Sequence, residues 1–131
     1  MPTPEQQRQM SDIFANLERK QKAIHENLMS FTTRACLKVV ATAKENCSPA
    51  TTPYDRAPFI TGNLRRSNNY VVYEDGGAIV GLVYNNADYA VFVHEGTSKM
   101  EGRPFLYDAV VLHANDIREG MLKAVKKGMK A

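Results

Sequence analysis

The longest regular pattern in the chain lies near its start, where mainly apolar residues recur every three or four positions. The positions on this face are Leu17, Gln21, Ile24, Leu28, Phe31 and Ala35, with Ile13 and Phe14 before them and Val39, Val40 and Ala43 after them. Such spacing is typical of one side of an α-helix. No Gly or Pro interrupts the chain between Glu5 and Asn46, and Ser48-Pro49 disfavours helix beyond that point. The pattern predicts one long helix over residues 5–46.

The length of this helix sets a packing problem. A helix of about 42 residues would be about 60 Å long, well beyond the diameter of a small domain. It must therefore kink, project from the domain or pack on other copies. The alternative is a break at Ser30 or within Thr32-Thr33, which would give two ordinary helices.

The next stretch, residues 48–60, has no periodicity and contains three prolines. We expect an extended loop, and loops of this length are often functional or mobile. Thr61 is then a plausible helix cap, with Leu64 as the buried residue of a short helical turn.

Residues 69–84 have the pattern of a β-hairpin. Tyr70–Tyr73 is rich in strand-forming residues, Asp75-Gly76-Gly77 is strong turn chemistry, and the run AIVGLVY returns as the partner strand. Apolar and polar residues alternate imperfectly, which suggests that both faces of the hairpin are at least partly covered.

The segment DYAVFVHEGT is ambiguous between helix and strand. Asp88 as a cap and Gly96 as a stop favour a short helix, whereas Val91, Phe92 and Val93 favour a third strand. We favour the helix.

The last predicted element is a helix over residues 104–127, opened by Pro104 at its first position. Its predicted apolar face comprises Leu106, Ala109, Val110, His113, Ile117, Leu122 and Val125. Helices at both ends of a small antiparallel sheet make the predicted fold α+β.

Composition agrees with one globular domain over residues 1–131. The chain has 131 residues, 44% of them hydrophobic and 24% charged. No run approaches the ~18 apolar residues of a membrane span, and MPTPEQQRQM has no apolar signal region, so we expect no membrane association. The net charge of +3 is small, and the Lys123–Lys130 cluster suits a helix C-terminus, where cations complement the dipole. A basic nucleic-acid-binding accessory role is the alternative for that cluster.

Candidate chemistry is sparse. Cys36 and Cys47 fit neither a disulfide framework nor a zinc site, so packed, reduced thiols are expected. The three histidines fall in different elements, and no HExxH, GxSxG, P-loop or GxGxxG motif occurs. The sequence therefore predicts no catalytic, metal or cofactor site and no small-molecule substrate, and we expect that the protein is not an enzyme.

Two ordered elements carry a family resemblance. The first is TGNLRRS, at Thr61 to Ser67, and the second is YAVFVHEGTSKMEGRPFLYDA, at Tyr89 to Ala109. Together they resemble the signature of small neck proteins of long-tailed bacteriophages, known as tail-completion or head–tail joining proteins. The candidate signature residues are Thr61, Gly62, Leu64, Tyr89, Gly96, Pro104, Phe105 and Leu106.

The resemblance implies a structural role in the virion tail or neck, with assembly in the bacterial host cytoplasm. It implies a homo-oligomeric ring, expected to be a hexamer, that joins the head-closure protein to the tail-tube protein and lets DNA pass through its lumen. A tail terminator is the alternative within phage biology. The candidate interface residues are Tyr54, Phe59, Arg65, Arg66, Glu95, Thr97, Lys99, Met100 and Arg103.

Overall fold

Two long antiparallel helices and a β-hairpin make up most of the protein. The computed structural model describes residues 1–57 and 62–131. In chain order the elements are α1 (Pro4–Asn46), α2 (Asn63–Arg66), β1 (Asn68–Asp75), β2 (Ala78–Asn85), α3 (Ala90–Glu95) and α4 (Phe105–Met129). This confirms the predicted α+β fold and the helical alternative for the segment after Asp88. The predicted cap Thr61 lies outside the described residues, and Gly62 is the residue that precedes α2.

Helix α1 is a single unbroken helix of 43 residues. It begins with a capping box, in which Gln6 N donates to Thr3 Oγ1 and Thr3 N donates to Gln6 Oε1, at 3.1 and 2.9 Å. The predicted alternative of a break at Thr32-Thr33 is wrong. Thr33 donates its hydroxyl to the Met29 carbonyl at 3.0 Å, one turn back, and so stays inside the helical pattern.

Only the second part of α1 is packed. The end of α1 meets the start of α4, where Asn46 Nδ2 donates to the Phe105 carbonyl at 3.0 Å. Further along, Thr42 Oγ1 lies 2.7 Å from His113 Nε2, and Gly128 of α4 lies against Ile24. Because α4 ends near Ile24, every residue from 1 to 19 is exposed. The helical part of this segment, residues 4–19, extends for about 24 Å and is called the projection below.

Small residues form the C-terminal part of the contact of α4 with α1. A Cβ on Gly128 would lie 2.7 Å from the Ile24 backbone, and one on Gly120 would lie within 2.2 Å of the Phe31 ring. Asn27 Nδ2 donates to the Ala124 carbonyl at 3.3 Å between them. The prediction that Leu122 belongs to the apolar face of α4 is wrong, because its side chain is 56% exposed.

The hairpin packs one face on α1. Its strands pair antiparallel from Asn68↔Asn85 to Asp75↔Ala78, and the turn residues Gly76 and Gly77 have φ of 57° and 86°. Positive φ at both turn residues is the geometry of a type I′ turn, which suits the twist of a hairpin. On the inner face, a Cβ on Gly81 would lie 2.6 Å from Cys36 Sγ, so this glycine allows α1 to approach β2 closely.

The core has two parts. One contains Cys47, Leu64, Ala90 and Phe105, and the other contains Val39, Ala43 and Ala109. Cys36 and Cys47 are free and buried, and burial raises the pKa of both thiols, for Cys47 to about 11. Within residues 1–57 and 62–131, no helix is long and apolar enough to cross a membrane.

Candidate interaction surfaces

The segment from α3 to α4 is a folded-back strap held by backbone hydrogen bonds. Gly96 ends α3 with φ 85°, and the chain then turns through a β-bridge between Thr97 and Met100. Arg103 N donates to the Val93 carbonyl at 2.8 Å, which returns the chain to α3. A Cβ on Gly96 would lie 2.6 Å from Gly102 N, so the two ends of the strap approach as closely as backbone allows.

The strap places the start of α4 on α3. Phe105 is fully buried, and its ring meets the His94 ring edge-on at 5.4 Å. His94 Nε2 accepts a hydrogen bond from Tyr107 N at 3.2 Å, in the first turn of α4, while Nδ1 donates to Glu95 Oε1 at 2.6 Å. His94 thus caps α4, because the first N–H groups of a helix have no partner within it.

A polar cleft lies where the loop after α1 meets this strap. It has a volume of about 360 Å³ and is lined by Pro53, Tyr54, Asp55, Arg56, Glu101, Gly102 and Arg103. Tyr54 donates its hydroxyl to Asp108 Oδ2 at 2.6 Å, which ties the loop to α4. Burial, together with this carboxylate, raises the pKa of the Tyr54 phenol well above its ordinary value.

The cleft unites two of the predicted interface residues, Tyr54 and Arg103, from segments far apart in sequence. The others lie elsewhere. Arg65 and Arg66 are exposed on α2, Glu95 pairs with His94, and Thr97, Lys99 and Met100 form the turn of the strap. Phe59 lies outside the described residues. Whether these residues contact a partner stays a prediction.

An asparagine pair that sequence reasoning missed joins α2 to the hairpin. Asn85 Nδ2 donates to the Leu64 carbonyl at 2.7 Å and to Asn68 Oδ1 at 3.0 Å. Asn68 is buried, and its Nδ2 donates to the Arg65 carbonyl at 3.2 Å. The sequence held a signal, since Asn68 and Asn85 directly flank the two ends of the predicted hairpin, residues 69–84, which pairing of its strands brings together.

Most of the large apolar side chains that are exposed among the described residues group on three surfaces. The first is the projection, with Met10, Ile13, Phe14 and Leu17. The second is the outer face of the hairpin, with Val71, Tyr73 and Leu82. The third is the surface formed by α3 and the start of α4, with Val91, Phe92, Tyr107, Val111 and Leu112. Contiguous exposed apolar patches mark interaction sites in proteins.

A narrow apolar groove runs between β2 and α4, with α1 as its floor. It has a volume of about 140 Å³. The lining of this β2–α4 groove includes Cys36 and Val39 of α1, Gly81 and Val83 of β2, and Val110 and Met121 of α4.

The protein exposes more surface than its mass requires. A compact monomer of 14.6 kDa has an accessible surface of about 6,900 Å². The observed surface is 9307 Å², an excess of about 2,400 Å². The projection and the two-stranded sheet make the molecule less compact, which accounts for the extra surface. Both leave apolar residues in contact with water.

The described residues offer no cluster of His, Cys, Asp or Glu that could hold a metal ion. The cations Lys123, Lys126, Lys127 and Lys130 lie exposed at the C-terminal end of α4, where the helix dipole favours them.

The comparisons with known proteins agree with the sequence resemblance. A family model described as "HK97-gp10_like: Bacteriophage HK97-gp10, putative tail-component" matches residues 11–96. No curated protein and no solved structure gives a significant match. The matched residues include most of α1, all of the hairpin and α3, and make up more than half of the chain. The chain therefore belongs to the HK97-gp10-like family of bacteriophage tail components.

Proposed function

We propose that the protein completes the phage tail as a ring, expected to be a hexamer, that joins the head-closure protein to the tail-tube protein. The observation that carries the proposal is the set of large apolar side chains exposed on the projection, the hairpin and the α3–α4 surface, in a chain of a tail-component family. A protein that works as an isolated monomer has no use for such surface, whereas an assembly buries it.

The kind of surfaces exposed supports a ring. A convex helical projection and a concave groove are different surfaces, so contact between them is head-to-tail. Head-to-tail contacts close into a ring when the rotation between copies allows it. DNA would pass through the lumen of such a ring.

The polar cleft is our candidate contact for the head-closure or tube protein. It combines Arg56 and Arg103 with the carboxylates Asp55 and Glu101, and it lies on the loop that the sequence predicted to be functional. Arginine is enriched at protein interfaces because its planar group binds carboxylates through two hydrogen bonds.

The experiment is complementation of a phage or prophage that lacks this protein, with joined particles counted by electron microscopy. We expect the Arg56→Glu/Arg103→Glu double variant to leave heads and finished tails unjoined. Arg118→Glu, an exposed charge reversal on α4, is the matched control and should join normally. Normal joining by the double variant would contradict the role of the cleft.

Deletion of residues 50–58 tests the loop as a whole, with circular dichroism to check that the fold is kept. Electron microscopy of the particles also distinguishes a joining protein from the alternative, a tail terminator. Loss of a tail terminator would give tails of uncontrolled length, whereas loss of a joining protein leaves tails of normal length without heads.

A further inference from the structure

We propose that the projection of one copy docks in the β2–α4 groove of a second copy, with the Phe14 ring filling the groove. This inference rests on the proposed function, because it names the contact that would hold neighbouring copies in the ring.

The groove and the Phe14 ring match in size and chemistry. An apolar protein cavity of roughly 150 Å³ is known to accept benzene. The β2–α4 groove has a volume of about 140 Å³ and is lined mainly by apolar side chains, among them Val39, Val83 and Met121. Phe14 is the only aromatic residue on the projection, and its side chain is 60% exposed.

The residues around Phe14 extend the match along the helix. Met10, Ile13 and Leu17 lie on the same face and are also more than half exposed. An amphipathic helix that lies in an apolar groove uses side chains with this spacing as anchors. Val110 and Met121, both 39% exposed, stand at the α4 side of the groove, where these flanking residues would rest.

The occupant must come from another molecule. The floor of the groove is formed by α1 itself, around Cys36, on the same unbroken helix as Phe14. The two positions are separated by about 33 Å along a straight helix, so the projection cannot fold back into its own groove.

A second pocket, between α1 and α4 on the other side, is less suitable for an apolar occupant. It has a similar volume of about 150 Å³, but its lining includes Arg34, Lys38 and Asp116. Lys38 Nζ lies 3.9 Å from Asp116 Oδ2 across it. The residues that line this pocket are therefore more mixed than those of the β2–α4 groove, where Thr32 is the one polar residue of the lining.

The excess accessible surface of the protein is large enough for contacts with neighbouring copies. A stable protein interface buries about 800 Å² on each partner, and a ring subunit has two such interfaces. The excess of about 2,400 Å² over a compact monomer of this mass is enough for both.

The test uses two variants that each break one side of the contact. Phe14→Asp damages the projection and Met121→Asp damages the groove. The matched controls place the same charge beside each site, as Asn16→Asp on the opposite face of the projection and Leu122→Asp on the outer face of α4. Sedimentation velocity over a concentration series measures association.

We expect wild type and both controls to assemble, and each damaged variant to associate at least about 30-fold more weakly. A mixture of Phe14→Asp with Met121→Asp retains one intact projection and one intact groove. It should therefore give pairs of twice 14.6 kDa and nothing larger. Formation of these pairs also shows that both variants are folded.

Three results would overturn the inference: a wild-type chain that stays monomeric at every concentration, assembly that survives Phe14→Asp, or a mixture that forms no pairs. The proposed function is decided separately, by complementation. If Phe14→Asp joins heads to tails normally, the docking contact is wrong and the joining function stands. If the wild type assembles through the groove but restores no joining, the docking contact stands and the joining function is wrong.

Discussion

At the scale of single residues, the side chains that shape the strap and cleft are polar groups in specific pairs. His94 caps α4 through Nε2, and Tyr54 ties the loop to Asp108. Neither pairing is encoded by a spacing rule, because both join positions that only the folded chain brings together. Sequence reasoning selected Tyr54 for a contact with a partner, and the structure adds an internal role.

The Tyr54–Asp108 hydrogen bond predicts a dependence of stability on alkaline pH. The folded state raises the pKa of Tyr54 above its unfolded value, near 10, so the neutral phenol is the form that stabilises the fold. Its contribution is complete below about pH 10 and is lost as the pH rises further.

Tyr54→Phe should therefore lower the free energy of unfolding by about 1 kcal/mol near pH 8, and the gap to wild type should narrow above about pH 10. Denaturant unfolding at several pH values measures this gap. Tyr107→Phe, at a side chain that is 64% exposed, is the control and should show a small gap throughout. A gap for Tyr54→Phe that widens with pH would contradict the assignment.

At the scale of elements, the sequence predicted the helices and the hairpin to within one or two residues at each helix end. It succeeded because periodicity, the diglycine turn and the prolines are local signals. It missed part of the contact between α4 and α1. Leu122, predicted on the apolar face, is 56% exposed, whereas Gly120, Ala124 and Gly128 lie against α1 in addition to the predicted Ala109 and Ile117. Residues as small as glycine and alanine do not stand out in a hydrophobic pattern.

Substitution of Gly128 tests how closely α4 packs on α1. In an exposed helix, alanine would be more stabilising than glycine by about 1 kcal/mol. Here the added Cβ would lie 2.7 Å from the backbone of Ile24, which can move only if α1 moves. Gly128→Ala should therefore lower the free energy of unfolding by about 1–3 kcal/mol. Lys127→Ala, at the exposed neighbouring position, should change it little, and thermal denaturation of both variants makes the comparison.

At the scale of the whole molecule, the sequence foresaw that a helix of this length must kink, project or pack on other copies. The structure shows projection: residues 1–19 are exposed, and the groove lies on the packed part of the same chain. Sequence could not reveal the groove, because its walls come from α1, β2 and α4 and depend on their relative placement.

Assembly that binds only the folded chain stabilises it by mass action. We therefore expect the melting temperature of the wild type to rise with protein concentration, as measured by differential scanning calorimetry. Phe14→Asp should melt at a temperature independent of concentration, while Asn16→Asp should behave like wild type. A wild-type melting temperature that does not change with concentration would argue against assembly in solution.

The capping box at Thr3 and Gln6 has a consequence for how the tail is built. It stabilises the first turn of a helix whose first four turns or so are exposed. Helical segments that do not pack on other elements are only weakly stable in water. The free subunit should therefore fray from this end, and each incoming neighbour would fix the helix as it binds. The amino-terminal helix would then be fully ordered only in subunits that have joined the assembly. In a free subunit it would stay flexible, which lets it reach its binding site on a neighbour.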